Sequence, residues 1–396
     1  MTKHIFPLCL AAALALGGLQ SCHKENNSAP KISRLRADLA TPNDSTLSFV
    51  NPGQYVILDG MGFASTRQVL FDGIPGAYNA ALVADQHLVI QVPTIPPDVL
   101  NGAKANTIEV ITAGGSITYT FPVNPPAPLV AAISNEFAHP GDVITITGQY
   151  LYLVQSVTFP GGIAAPNYTT NSDGSSMTVT VPAGATTGGG IIITSKGGTS
   201  SSEPAAGFWD TRGMLCDFDT YNQYSWGATN IIDSPSFTGN NGNFAQLSFT
   251  GVNAGDGSWW NGGRSLNTNG VQWVAADSMS NPLSDYAMKF EIYVKQPWTT
   301  GAFYVVPNYT WTYLATYSGW QAFSDSTMIS TNQWSTVVIP LTNFQTNTGA
   351  GSPPSSLGAL LGGGNQSIDI MFVNNGTKPV ATFDAGIDNI RVVKVH

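Results

Sequence analysis

The chain has 396 residues, of which 10% are charged, with 42 glycines, 25 prolines and a formal net charge of −9. So low a charge density excludes a disordered polyelectrolyte and a coiled coil, and the acidic balance excludes a nucleic-acid binder that relies on clustered Lys and Arg. The 42% hydrophobic content is enough for packed cores in two to four domains of about 100–200 residues.

In chain order, Met1–His4 is short and carries Lys3, and Ile5–Leu16 is an apolar run of signal-peptide length. Leu19-Gln20-Ser21-Cys22 then resembles the lipobox of bacterial lipoproteins. That resemblance implies a signal peptide over 1–21 and lipidation of Cys22; an ordinary secretory signal with an incidental Cys is the plain alternative. No later segment has 18 consecutive apolar residues, so the expectation is a protein anchored to a membrane rather than spanning it. Of the three cysteines, Cys9 and Cys22 fall in the signal and anchor. Cys216 is left without an intrachain partner and reads as a small buried hydrophobe.

Residues 22–31 are polar and read as a tether. An internal repeat follows. Pro52-Gly53-Gln54-Tyr55-Val56-Ile57-Leu58-Asp59-Gly60 matches Pro140-Gly141-Asp142-Val143-Ile144-Thr145-Ile146-Thr147-Gly148 at an offset of 88. Val69-Leu70-Phe71 and Gly73 match Val157-Thr158-Phe159 and Gly161 at the same offset. Each matched piece is a β-branched strand bounded by a turn, and short strands at this spacing indicate a β-sandwich. The pattern resembles the IPT/TIG immunoglobulin-like domain, once over 32–124 and again over 127–202. Pro122–Pro128 reads as a short stiff linker between the two.

Residues 206–396 differ in composition: all nine Trp lie beyond residue 208. Helical periodicity is nearly absent. Met288, Phe290, Ile292 and Val294 alternate with Lys289, Glu291, Tyr293 and Lys295, as in a half-buried strand. Ile368–Val373 and Ile390–Val393 read as strands too. The fold class is therefore all-β: two Ig-like β-sandwiches followed by a jelly-roll-like β-sandwich.

Catalytic signatures are few. The five histidines fall in the signal, the tether, the Ig-like repeats and the C-terminus, which argues against a nucleophile–histidine pair in the Trp-rich region. A glycosidase needs only two carboxylates, and sequence spacing does not exclude such a pair among the acids between Asp210 and Asp388. What stands out is aromatic density in polar loops. An indole or phenol ring stacks on the weakly polar C–H face of a sugar while amides and hydroxyls take its hydroxyl groups. Tyr309, Trp311 and Tyr313 fall at i, i+2 and i+4; on a strand they share one face at about 6.6 Å spacing. That face is either a ligand shelf or the buried side. Trp298 and Trp320 sit beside Gly, Ser and Thr and read as open. One of Trp259 and Trp260 should point outward. Trp334 and Trp273 read as packing. The expected stacking residues are Trp260, Trp298, Trp311, Tyr317 and Trp320.

The lipobox, the tandem IPT/TIG repeats and the segments Met288–Trp298 and Trp334–Phe344 together resemble the surface glycan-binding proteins of Bacteroidetes polysaccharide-utilisation systems. The resemblance implies Ig-like spacers and a non-catalytic C-terminal domain that holds a β-glucan, xyloglucan being the best-known type. It also implies outer-membrane display through the lipid anchor, alongside other glycan-uptake proteins of the same system, and no nucleic-acid partner. His23-Lys24-Glu25-Asn26-Asn27 departs from the acidic stretch that this family carries after its lipidated Cys. No cofactor is required by this reading. Carbohydrate-binding jelly rolls often hold a structural calcium, and Asp217 and Asp388 stand where its ligands are expected. An endo-acting glycoside hydrolase and an adhesin with a protein partner are the competing classes.

Overall fold

The computed structural model describes residues 28–40, 42–320, 331–362 and 365–396. The signal peptide, Cys22 and most of the tether lie outside the described residues. Among those described, no helix is long and apolar enough to cross a membrane. The chain divides into two compact units, Met1–Val123 and Asn124–His396; the division falls inside the proline-rich linker.

The first unit is a β-sandwich. Lys31–Ala37, Tyr55–Met61 and His87–Gln91 form one sheet, and Ile74–Pro75, Thr66–Phe71, Thr107–Thr112 and Gly115–Thr120 form the other. Inward residues such as Leu35, Val56, Leu58, Val69, Phe71, Ile108 and Val110 are sealed. The second repeat builds the same architecture from Leu129–Ile133, Val143–Gln149, Ser176–Thr180 and Tyr168–Thr170 against Val154–Phe159, Ile163–Ala164, Ile192–Ser195 and Gly198–Ser201. The glycine that closes each repeat motif has a steric cause. A Cβ on Gly60 would overlap the Lys31 carbonyl, and one on Gly148 the Leu129 carbonyl. In both repeats the neighbouring strand carries a bulge there. The second sandwich also runs further than 202: Ala206 and Phe208 are buried in its core.

The C-terminal sandwich pairs a six-stranded with a five-stranded sheet. The first contains Asn230–Ile232, Phe244–Val252, Val380–Lys394, Tyr286–Val294 and Trp334–Pro340 in that order, with Met214–Cys216 paired to Val380–Lys394. The second runs Tyr224–Trp226, Ser265–Thr268, Ile368–Val373, Ala302–Pro307, Ala315–Tyr317. Between them lies an aromatic-rich core that includes Phe249, Phe290, Phe303, Phe372 and Phe383. Cys216 is fully buried within it, where burial pushes its thiol pKa up. Trp334 packs with Phe237, Phe244 and Tyr293.

One strand departs from the half-buried alternation. All nine residues of Tyr286–Val294 are buried, because the second Ig-like sandwich covers its polar parity. Glu136, from the loop between Leu129–Ile133 and Val143–Gln149, reaches into the outer face of the six-stranded sheet. Its Oε1 lies 2.6 Å from Lys289 Nζ and its Oε2 lies 2.7 Å from Arg391 Nη2. Arg391 also binds Glu291, with Nη1 2.9 Å from Oε2, and its guanidinium stands 5.0 Å from the Phe137 ring centroid. The four charged side chains are at most 2% exposed. Burial raises the Glu291 pKa and the Arg391 charge counters it. Around the cluster, Thr336 N donates to the Ser134 carbonyl (2.8 Å), Thr336 Oγ1 accepts from Glu136 N (2.8 Å), and Asn241 Nδ2 donates to the Phe137 carbonyl (3.1 Å). The regions 127–202 and 206–396 are thus joined by a buried neutral quartet of two cations and two anions.

Removing one partner of such a cluster strands the others without compensation. Glu136→Ala is expected to lower stability by about 3–5 kcal/mol, read by urea denaturation of the full chain. Residues 206–396 expressed alone, with Lys289, Glu291 and Arg391 uncovered, are expected to melt well below the full chain.

Candidate functional site

Among the described residues of the second unit, the outer face of the five-stranded sheet is not covered by the second Ig-like sandwich. Core parity places Leu266, Ile368, Ile370, Phe372, Phe303 and Val305 inward. The alternate residues, among them Asn267, Asp369, Met371, Tyr304 and Val306, therefore face outward. Val306, Leu314 and Met371 form a small apolar patch against which Trp259 and Tyr304 pack.

On this face five aromatic rings come together from two loops and a strand end: Trp226, Trp259, Trp260, Tyr309 and Trp311. Trp259 is the hub. Its ring centroid lies 6.3 Å from Trp226, 5.7 Å from Trp260, 6.2 Å from Tyr309 and 6.0 Å from Trp311. The Trp226 and Tyr309 rings are parallel within 1° at 6.4 Å. Trp260 is 61% exposed, Trp226 42%, Trp311 41% and Tyr309 36%. The loop bearing Trp259 and Trp260 is braced by Asp256, which accepts from Ser258 N (2.8 Å) and pairs with Arg264 Nη1 (2.9 Å). Those bonds hold the Asp256 carboxyl below its ordinary range, the Ser258 amide contributing most.

Tyr309 and Trp311 are not on a strand. Asn308, Tyr309 and Trp311 have φ of 50°, 53° and 56°, a left-handed run that costs non-glycine residues of order 1–3 kcal/mol each. The run turns Tyr309 and Trp311 outward and lets Tyr313 pack against the core. Four hydrogen bonds hold it. Asn308 N donates to the Ser367 carbonyl (3.2 Å), Tyr309 N to Asp369 Oδ2 (3.0 Å), and Thr310 N and Oγ1 to the Pro307 carbonyl (3.1 Å each).

Of the residues expected from the sequence, Trp260 and Trp311 are open and belong to this cluster. Trp298 is not open: it is 3% exposed. It plugs one end of the sandwich against Phe303, Phe372 and Phe383, with its indole N–H on the Thr300 carbonyl at 2.8 Å. Tyr317 pairs in register with Phe303 and so shares its inward parity; burial raises its phenol pKa. Trp320 packs against the same core and donates to the Gly301 carbonyl at 2.8 Å. Small polar neighbours make Trp298 and Trp320 read as open in the sequence, yet here the Trp298 ring turns inward and the Trp320 ring is half-buried. Trp226 was not singled out. Its local signal, a Trp between Ser225 and Gly227, is the same one that misleads at Trp298 and Trp320.

The calcium expectation meets a different arrangement. Asp217 Oδ1 accepts from Asp219 N (3.0 Å) and Tyr221 N (2.6 Å), and Asp219 holds Asn243. Asp388 is 2% exposed, and its Oδ1 accepts from Asn389 N at 2.7 Å. Burial pushes its carboxyl well up. Among the described residues no group of three or more His, Cys, Asp or Glu is placed to hold a metal.

Residues 208–394 match the family described as the surface glycan-binding protein B xyloglucan binding domain. An IPT/TIG domain-containing protein of Bacteroides ovatus is 28% identical over 178 residues, which span 41% of this chain and 36% of that protein. The chain thus matches about a third of this curated relative's length. Among solved structures, surface glycan-binding protein B of Prevotella bryantii superposes with a TM-score of 0.69 at 22% identity, covering 92% of this chain and 98% of that one. The corresponding protein from a complex xyloglucan utilization locus in Bacteroides uniformis gives 0.53 at 18% identity, covering 92% and 99%. At these identities the structural likeness is one of fold: nearly all-β, with Ig-like domains. The resemblance drawn from the sequence holds.

Asp369, fully buried beneath the rings, is pushed up to about 6 by burial, against the pull of the Tyr309 and Ser367 hydrogen bonds. The fold therefore favours its protonated form. The stability it lends is complete below about pH 4 and is lost as pH rises through about 6, a difference on the order of 2 kcal/mol. Thermal melts from pH 4 to 7 should show wild type losing ground to Asp369→Asn as the pH rises.

Proposed function

We propose that the chain is a non-catalytic surface lipoprotein that captures a soluble β-linked glucan, of the xyloglucan type, on the aromatic cluster of its C-terminal sandwich. The observation that carries this reading is the group of four exposed rings gathered around Trp259 on the uncovered face of the five-stranded sheet. Stacking needs flat rings open to water and fixed in orientation, and a rigid shelf limits the entropy lost on binding. The match of residues 208–394 to a family described by xyloglucan binding supports the choice of sugar, as does the relative from a xyloglucan utilization locus. In this proposal Cys22 carries the lipid that holds the protein at the outer membrane, the repeats hold the binding face away from that surface, and other glycan-uptake proteins of the same system receive the captured chain. No cofactor takes part.

The test is affinity electrophoresis of the full chain in gels containing xyloglucan, mixed-linkage β-glucan or mannan. The full chain is needed because the second Ig-like sandwich covers the charged face of the third. Retardation by a β-glucan supports the reading. Absence of retardation by every polysaccharide favours an adhesin, and release of reducing ends would make the protein a hydrolase. Trp260→Ala and Trp311→Ala are each expected to weaken binding by roughly five- to thirtyfold, the scale of an interface anchor, with an unchanged melting temperature. Trp298→Ala should instead lower stability by about 3–5 kcal/mol. Addition of EDTA is expected to leave the melting temperature unchanged; a marked fall would restore structural calcium at Asp217 and Asp388.

A further inference from the structure

Beneath the exposed rings lies a hydrogen-bond network that a ligand on the ring surface would not touch. Asn267, 1% exposed, links the two residues whose rings are parallel. Its Oδ1 accepts the Tyr309 hydroxyl at 2.6 Å, and its Nδ2 donates to the Trp226 carbonyl at 3.2 Å and to Ser265 Oγ at 3.2 Å. Asp369, directly opposite Asn267 on the neighbouring strand and 0% exposed, accepts the Tyr309 amide through Oδ2. Ser367 Oγ donates to the same carboxyl at 3.2 Å. Tyr309 is thereby held at both ends, at its backbone by Asp369 and at its hydroxyl by Asn267, within a left-handed run that has no glycine to relax it. The side chains facing the carboxyl are Tyr309 from its loop, Ser367 from its own strand and Asn267 across the sheet.

We propose that Asn267 and Asp369 are positioning residues for the aromatic shelf. They fix the Tyr309 ring parallel to Trp226 and so preset the surface on which the glycan lies. The inference rests on the binding reading given above. Its logic is preorganisation: the strain of the left-handed run is met by buried bonds in the free protein, so no ordering of Tyr309 is left for the moment of binding. A carboxyl suits the backbone position because its oxygen accepts from the Tyr309 amide and the Ser367 hydroxyl at once. An amide suits the ring position because it accepts from Tyr309 and donates to Trp226 at once.

The experiment compares full-length wild type with Asn267→Ala, Tyr309→Phe, Asp369→Ala and Asp369→Asn. Three readouts are taken: affinity for xyloglucan, near-ultraviolet circular dichroism without ligand, and melting temperature. Asn267→Ala and Tyr309→Phe are expected to lose about three- to tenfold in affinity, the worth of one hydrogen bond, and to alter the dichroism of the coupled rings. Tyr309→Phe keeps the ring and removes only its tie to Asn267, so it serves if a more drastic variant fails to fold. Asp369→Asn keeps an oxygen for the Tyr309 amide and should recover most of what Asp369→Ala loses. Unchanged affinity and dichroism in Asn267→Ala and Tyr309→Phe would overturn the proposal. Wild type that binds no polysaccharide would instead overturn the reading of the site. The ligand-free dichroism would still decide whether the network orients the rings: an altered spectrum upholds it and an unaltered one sinks it.

Discussion

A single carboxylate, Glu136, sets the arrangement of everything beyond the second repeat. It enters the outer face of the six-stranded sheet between Lys289 and Arg391, with Glu291 completing the balance. Charges withdrawn from water are tolerable only when each has its partner, so where the second Ig-like sandwich covers Lys289, Glu291 and Arg391 it must bring Glu136 with it. The consequence is spatial as much as energetic. One face of the C-terminal sandwich is consumed by the joint, and the aromatic rings occupy the other. The repeat nearest the C-terminal sandwich is therefore more than a spacer, since it completes that sandwich's burial.

The division of the aromatics between core and surface follows from simple parity and turn geometry. Phe303, Tyr317 and Phe372 belong to the inward register of their strands and join Trp298 in closing the sandwich. Trp226, Trp260, Tyr309 and Trp311 lie at a strand end or in loops and open outward. Trp259 takes an intermediate place, its ring against Val306, Leu314 and Met371 and in contact with all four open rings. That half-buried hub makes the cluster one body instead of four separate anchors.

Much of this was legible in the sequence, and the failures have a common cause. The repeat at an offset of 88 fixed both Ig-like sandwiches down to the glycine that each neighbouring strand crowds, and the buried places of Cys216, Trp273 and Trp334 followed from their apolar or alternating surroundings. The alternation across Tyr286–Val294 was real, but it could not reveal that a second domain buries the polar side as well; that information resides in Glu136, some 150 residues away. Trp298 is sealed, and Tyr317 and Trp320 are half-buried; small polar neighbours say only that a turn is near, not which way the turn sends the ring. The left-handed backbone at Asn308, Tyr309 and Trp311 has no glycine to announce it, so the sequence leaves open whether the aromatic row is a strand. The hydrogen-bond network at Asn267 and Asp369 was invisible for a plainer reason: a buried Asn and Asp on strands acquire meaning only once their partners across the sheet are known.

The clustering of indoles around Trp259 also makes the protein its own optical gauge. The fluorescence of an indole depends on the water around it, and rings in van der Waals proximity share excitation. Trp273, Trp298 and Trp334 are sealed and emit from a constant environment. Trp226, Trp260 and Trp311 face solvent beside the hub. Whatever settles on those rings displaces their hydration and alters the emission of the whole group, so occupancy is reported in native light with no dye attached.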